Sequence, residues 1–453
     1  MLKRTLYHFH FCCGLGGGAA GFNRARPRVG NVEAEWVCLG GIDVDPAGLR
    51  DFERLAGVPG TLLDLFTRDQ YVRFHGKEPP AGWREATPED IRRAAGGRRP
   101  DAVFISSPCK GASGLLSEKM SLTPKYQALN ELTLRCIWLM GEAWADDPVP
   151  LIVFENVPRL ASRGRHLLDQ INSLLGGFGY AVAETTHDCG ELGGLAQSRK
   201  RFLLVARHVE KVPPFLYEPE KKSLRAVGDI LGRMPLPGDI DAAGPMHRVP
   251  SLQWKTWVRL ALVRAGSDWR SLNDLAVEDG YLRDLIIVPE YQAGYMGVHG
   301  WNDSMGDAYL TGGHYGVVGF DQSAGAVSAS ARHDNGRWSV ADPRMPAAND
   351  RLTCIIQSLD GTWHRPFTTL ELAALQSLVD PEEQLVLDGL SDSDWRERIG
   401  NAVPPAAAEA IAGVMGTTLL LAEAGETFML SNMPIWVRPV AVALSVSQPA
   451  ESR

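Results

Sequence analysis

The chain has 453 residues, 45% hydrophobic and 22% charged, an ordinary globular composition that excludes a fibrous or disordered protein. Its formal net charge of -8 argues against a protein that coats nucleic acid through bulk electrostatics, although local basic clusters such as Arg199, Lys200 and Arg201 leave focused binding open. The length exceeds one ordinary domain, no apolar run is long enough to span a bilayer, and seven scattered cysteines without CxxC pairs predict a reducing, cytoplasmic setting and no metal site.

A short strand from Leu6 to Cys13 leads into Gly14-Leu15-Gly16-Gly17-Gly18. Lys3 and Arg4 ahead of an apolar stretch imitate a signal peptide, but His8, His10 and the glycines interrupt it. Glycines let a backbone approach a ligand closely, and the helix that follows opens with unpaired N–H groups; a plain tight turn would look the same. The second strand, Trp36 to Asp45, ends in acids at the separation from the glycines at which a carboxylate meets a cofactor ribose, so loop and acid together point to a nucleotide-type cofactor. Residues 62–65 form a candidate third element. Residues 68–99 are polar and read as surface covering, with a helix opening at Thr87-Pro88.

Ala102, Val103, Phe104 and Ile105 form a short apolar run, as expected of a strand covered on both faces of a parallel sheet. Pro108 stops it and places Cys109 at the carboxyl end, where open α/β sheets put their ligand crevice. Alone, Cys109 reads equally as a small core residue. A helix spans Asn130 to Ala145, and a fourth strand, 151–154, ends in Glu155-Asn156-Val157-Pro158. That carboxylate either caps the next helix or shares a site with the cysteine. Gln197, Arg199 and Arg201 precede the strand 202–206 and, at strand spacing, point to one side, which suits carbonyl or phosphate recognition or a salt-bridged sheet edge.

After Val209 the βα alternation stops. The stretch is loop-rich, with one clear helix from Trp254 to Val263, and regular structure returns at Thr368-Thr369-Leu370-Glu371. Arg398-Ile399-Gly400-Asn401-Ala402-Val403-Pro404-Pro405 then opens a helix that runs to about Leu421. The tail from Ala422 holds one apolar run, 435–444, and is expected to fray.

In this order, the glycine loop, Pro108-Cys109, Glu155-Asn156-Val157, Gln197-x-Arg199-x-Arg201, the Glu371 helix and Gly400-Asn401-Ala402-Val403 resemble the cytosine-C5 DNA methyltransferase family, over about residues 5–206 and 365–421. The resemblance implies an α/β fold: a Rossmann-like methyltransferase sheet with helices on both faces, plus a smaller, irregular, β-rich target-recognition domain. The implied division is a catalytic domain over 1–206, a recognition domain over 207–364, completion of the catalytic domain over 365–425 and a tail over 426–453. It further implies methyl transfer from S-adenosylmethionine to C5 of a flipped-out cytosine in double-stranded DNA, by a monomer, stand-alone or within restriction-modification. The roles carried over are Cys109 as nucleophile on C6, Glu155 on N3, Asn156 fixing base and loop, and Arg199 on the O2 side and the cysteine. Pro108, Lys110, Gln197 and Arg201 would line the substrate. Gly14, Gly16, Gly17, Asp43, Asp64, Asn401 and Val403 would hold the cofactor. An RNA cytosine-C5 methyltransferase and a catalytically silent nucleic-acid-binding relative are the alternatives.

Three departures are specific to this chain. His10 and Cys12 replace the family's Asp-x-Phe, Asp43 is shorter than the usual Glu, and Lys110 stands where Gln is usual. A cation beside Cys109 would favour the thiolate or contact a phosphate. Trp301, Asn302, His314, Tyr315 and Arg332 are candidate base readers that spacing does not rank.

Overall fold

Alternating apolar side chains, one set for each face, make the strands of this protein into the partition between two cores. In the computed structural model, which describes residues 2–108, 123–275, 277–278, 281–282, 315–346, 355–426 and 433–438, the main sheet has eight strands. They are β1 (Leu2–Phe11), β2 (Arg28–Val29), β3 (Val32–Asp43), β4 (Thr61–Leu62), β5 (Ala102–Ile105), β6 (Leu151–Asn156), β7 (Tyr180–Asp188) and β8 (Lys200–His208). Their order is β2-β3-β1-β5-β6-β8-β7, with β4 paired to β3. β4, β3, β1, β5 and β6 run parallel, while β8 is antiparallel to both β6 and β7. This is the methyltransferase variant of the α/β sheet expected from the sequence.

Phe9 and Phe11 of β1, Val103 and Ile105 of β5, and Ile152 and Phe154 of β6 face helices Arg68–His75, Pro88–Ala94, Pro124–Ala143 and Arg165–Gly177. The intervening residues, Leu6, Phe104 and Val153, face the other way, onto helices Gly17–Arg24 and Pro405–Glu423. By length and composition the stretch Asp392–Glu423 would pass as a membrane-crossing helix, which apolar run length did not reveal. Ala402, extended at φ -67 and ψ 145, divides it in two, and Ala407, Ala408, Ile411, Met415 and Leu419 are spent on the sheet.

Beyond β8 a small sheet pairs Val317–Val318 with Ser339–Asp342 in parallel, and Ser339–Asp342 with Trp363–Pro366 antiparallel. It is joined to helix Thr369–Leu375 by a buried charge cluster in which Arg365 donates to both oxygens of Glu371 and to Asp342, all three side chains being inaccessible to solvent. The same Glu371 closes a capping box: the Thr368 hydroxyl accepts from its backbone N–H, and its carboxylate accepts from the Thr368 N–H. Thr368→Ala is expected to cost about 1 kcal/mol, seen as a lowered urea midpoint without loss of the folded baseline; an unchanged midpoint would show the cap to be dispensable.

Residues 433–438 of the tail dock onto the sheet, while the polar end expected to fray lies outside the described residues. Trp436 and Val437 are buried in the second core, the Trp436 N–H donates to the Leu216 carbonyl, and its indole Nε1 donates to Thr185 Oγ1 at 3.0 Å. The anchoring partners lie more than 200 positions upstream, so local composition could not announce them.

Candidate active site

The carboxyl ends of β1, β5 and β6 and the start of β8 meet at one edge of the sheet. The β1 and β5 ends are stitched together where Ser106 N donates to Phe11 O and Ser106 Oγ to Cys12 O, at 3.2 and 3.0 Å. Asn156, 5% exposed, joins β6 to this edge: its Nδ2 donates to Ser107 O at 3.2 Å while its Oδ1 accepts from Val157 N. It therefore fixes the backbone immediately before Pro108. Pro108 itself is exposed at the edge, and Cys109 and Lys110 lie outside the described residues.

Glu155, the last but one residue of β6, forms an ion pair with Arg201, with Nε and Oε1 2.7 Å apart and both side chains largely withdrawn from water. The pair lies at the end of β6, one residue before Asn156. Gln197 and Arg199 do not share the orientation of Arg201, contrary to the expectation of one donor face. Strand geometry begins only at Lys200, so the pleat does not extend back to them. Arg199 is 2% exposed and donates to the carbonyls of Val327, Gly400 and Ala402. Burial pushes its pKa down to about 9, leaving it charged at neutral pH. Gln197, fully buried, donates to Leu375 O and accepts from Val327 N. Both residues bind backbone segments to one another, and Arg199 also lies within electrostatic range of Glu155 and Arg201.

A second cradle adjoins the first. Gly14 and Gly16 have φ of +52 and +94, which favours glycine, and helix Gly17–Arg24 starts with no side-chain cap, leaving its first N–H groups free. Asp43 at the end of β3 accepts from Gly14 N at 2.8 Å, and also from Val44 N and Asp45 N, so its carboxylate braces the loop. Asp64 is held by Phe66 N and by Trp83 Nε1. Val44 and Leu62, at the ends of β3 and β4, are 62% and 60% exposed. These aliphatic side chains beside the acids offer an apolar wall that motif reading missed; an aliphatic residue between two aspartates, Asp43-Val44-Asp45, was its signal. Val403 closes the opposite side, since a Cβ on Gly17 would lie 2.3 Å from Val403 O, and the neighbouring Asn401 is exposed. Gly17→Ala is expected to destabilise the fold by about 1–3 kcal/mol through this overpacking, read as a lowered melting temperature in the ligand-free protein; an unshifted melt would show that the two segments can part freely.

A free helix N-terminus for a carboxylate, acids at the strand ends and an apolar wall fit an amino-acid-bearing nucleoside. The family comparison decides the larger question: the model of the C-5 cytosine-specific DNA methylase matches residues 89–417. The chain belongs to this cytosine-C5 methylase family. No curated protein matches it in sequence. Solved structures show the same fold at low identity. The Entamoeba histolytica methyltransferase EhMeth is 12% identical, with a TM-score of 0.52 over 91% of this chain and 98% of that one. A prophage-encoded E. coli protein described as a DNA modification methyltransferase is 14% identical, with a TM-score of 0.51 over 92% of this chain and 99% of the other.

Proposed function

We propose that this methylase transfers a methyl group to C5 of a cytosine in duplex DNA, with Cys109 adding to C6 of a base flipped out of the stack. The observation that carries this reading is the Glu155–Arg201 pair set at the same sheet edge as the Asn156–Ser107 hydrogen bond, which fixes the backbone just ahead of Pro108. Gly14, Gly16, Gly17, Asp43, Asp64 and Val403, with Val44 and Leu62, would hold S-adenosylmethionine, which supplies an electrophilic methyl group. Arg201 would hold one oxygen of Glu155, and the other, once protonated from solvent, would donate its proton to the pyrimidine N3, where negative charge gathers as the thiolate adds. Loss of the C5 proton to a base then re-forms the ring double bond and expels the Cys109 thiolate. Residues 207–364 would read the sequence, and Gln197 and Arg199 tie that region, through Val327, to the catalytic segments.

The test measures methyl incorporation from labelled S-adenosylmethionine into cytosine duplex DNA and into transfer RNA in parallel, together with trapping on 5-fluorocytosine DNA. Incorporation into duplex, with an adduct lost in Cys109→Ser, supports the proposal. Incorporation into RNA alone reassigns the substrate, and no incorporation into either rejects the enzyme reading.

A further inference from the structure

Two imidazoles and a thiol meet beneath the start of helix Gly17–Arg24, where a Cβ on Gly18 would lie 3.6 Å from His10 Nδ1. His8 and His10 lie on the same face of β1, and Cys38 is the direct register partner of His8 on β3. Their relative exposures are 0%, 3% and 4%, and one donor atom from each lies within 4.8 Å of the others. The surroundings are aromatic: His10 stacks on Phe104, and His8 contacts Phe22 and Trp36.

Hydrogen-bond accounting leaves this cluster incomplete. Asn23 Oδ1, a pure acceptor, lies 2.9 Å from His8 Nε2, so that nitrogen carries the proton and His8 Nδ1 offers a lone pair. His8 Nδ1 lies 2.8 Å from His10 Nε2, which must then be the donor, leaving His10 Nδ1 as an acceptor with no hydrogen bond among the described residues. The arrangement supplies neutral imidazole donors, one already oriented by an outer amide as metal-ligating histidines are.

We infer that His8, His10 and Cys38 form a buried site for copper(I). The ligand set decides the ion. Thiolate with imidazole selects soft metals, and the group has three members among the described residues, whereas structural zinc takes four ligands. Charge decides further: a monovalent ion with one thiolate is neutral, while a divalent ion would leave a net positive charge among Phe22, Trp36 and Phe104. On binding, Cys38 releases its proton to solvent and its Sγ, now 3.6 Å from Gly40 O, turns inward to bond the ion. His10 presents one nitrogen and keeps its proton on the other.

The experiment titrates the full-length, reduced protein with copper(I) under anaerobic conditions against a chromogenic copper(I) chelator. X-ray absorption of the wild-type complex is measured alongside, so the answer does not depend on a variant that might misfold. One retained equivalent, a first shell of two nitrogens and one sulfur, loss of that equivalent in Cys38→Ser and roughly 10–100-fold weaker retention in Asn23→Ala support the inference. A sulfur-only shell points to other thiols, such as Cys12 beside Cys136, and overturns it, as do unchanged retention in Cys38→Ser and no retention at all. Preferential retention of zinc at these ligands overturns the charge argument that selects a monovalent ion.

Discussion

Arg365→Met is expected to destabilise the protein by about 3–5 kcal/mol at neutral pH, the range for removing one partner of a buried ion pair. Asp342 would keep Arg344, which donates to both of its oxygens. Glu371 would not be so protected: fully buried, it takes two of its hydrogen bonds from Arg365, and its remaining bond is the cap to Thr368 N. Burial alone would raise both carboxyls, but the guanidinium groups outweigh it and hold both below the usual carboxylate range. In the wild type their contribution is complete above the ordinary carboxylate pKa of about 4 and is lost as pH falls through the lower folded-state values. In Arg365→Met the sign reverses for Glu371, whose unpaired burial costs stability above its raised pKa and is relieved by protonation. The gap between variant and wild type should therefore narrow on acidification from pH 7 towards about 4. Arg365→Met/Glu371→Gln, which keeps the cap without the charge, should recover part of the loss at neutral pH. Urea midpoints across this pH range decide the matter; a gap independent of pH would mean that packing rather than charge sets the cost.

Glu155→Gln is expected to slow methyl transfer by about 10²–10⁴-fold, the usual contribution of a positioned acid–base group, with little change in melting temperature. Gln keeps the shape of Glu155 beside Arg201, while the carboxyl proton that would pass to N3 is lost. Arg201→Lys keeps the charge but removes the planar donor set, and should raise KM or lower kcat less than Glu155→Gln does. Single-turnover rates on duplex DNA separate the two. A wild-type rate in Glu155→Gln would remove Glu155 from the chemistry and leave the Arg201 pair as a structural brace.

Much of the fold was legible because β5 and β6 are short apolar runs that end abruptly in polar residues, the pattern of strands buried on both faces. Glu155 and Asn156 could be read in the same way, since a strand end fixes where the next residues emerge. Period-two reasoning failed at Gln197 and Arg199 because the chain there is not yet a strand; Gln197 bridges to Ala324 instead, and the Arg199 guanidinium finds its carbonyls up to 203 positions downstream. The docking of Trp436 and the meeting of His8, His10 and Cys38 were hidden for a related reason. Their partners are set by strand order and by packing across the sheet, which no local window contains.

Helix Pro405–Glu423 covers Phe104, Leu151, Val153, Leu203 and Val205, and it lies so close to helix Gly17–Arg24 that a Cβ on Gly21 would stand 2.2 Å from Pro405 O. During synthesis the ribosome delivers all eight strands of the main sheet long before it delivers this cover. At about 5–20 residues per second, the roughly 200 residues between β8 and the end of the helix take on the order of ten seconds or more to appear. For that interval one apolar face of the nascent sheet is only partly covered by its own chain, by helix Gly17–Arg24 and segments that follow β7 and β8, which makes the rest a surface for chaperones to occupy and makes slow translation through the intervening region a hazard for yield.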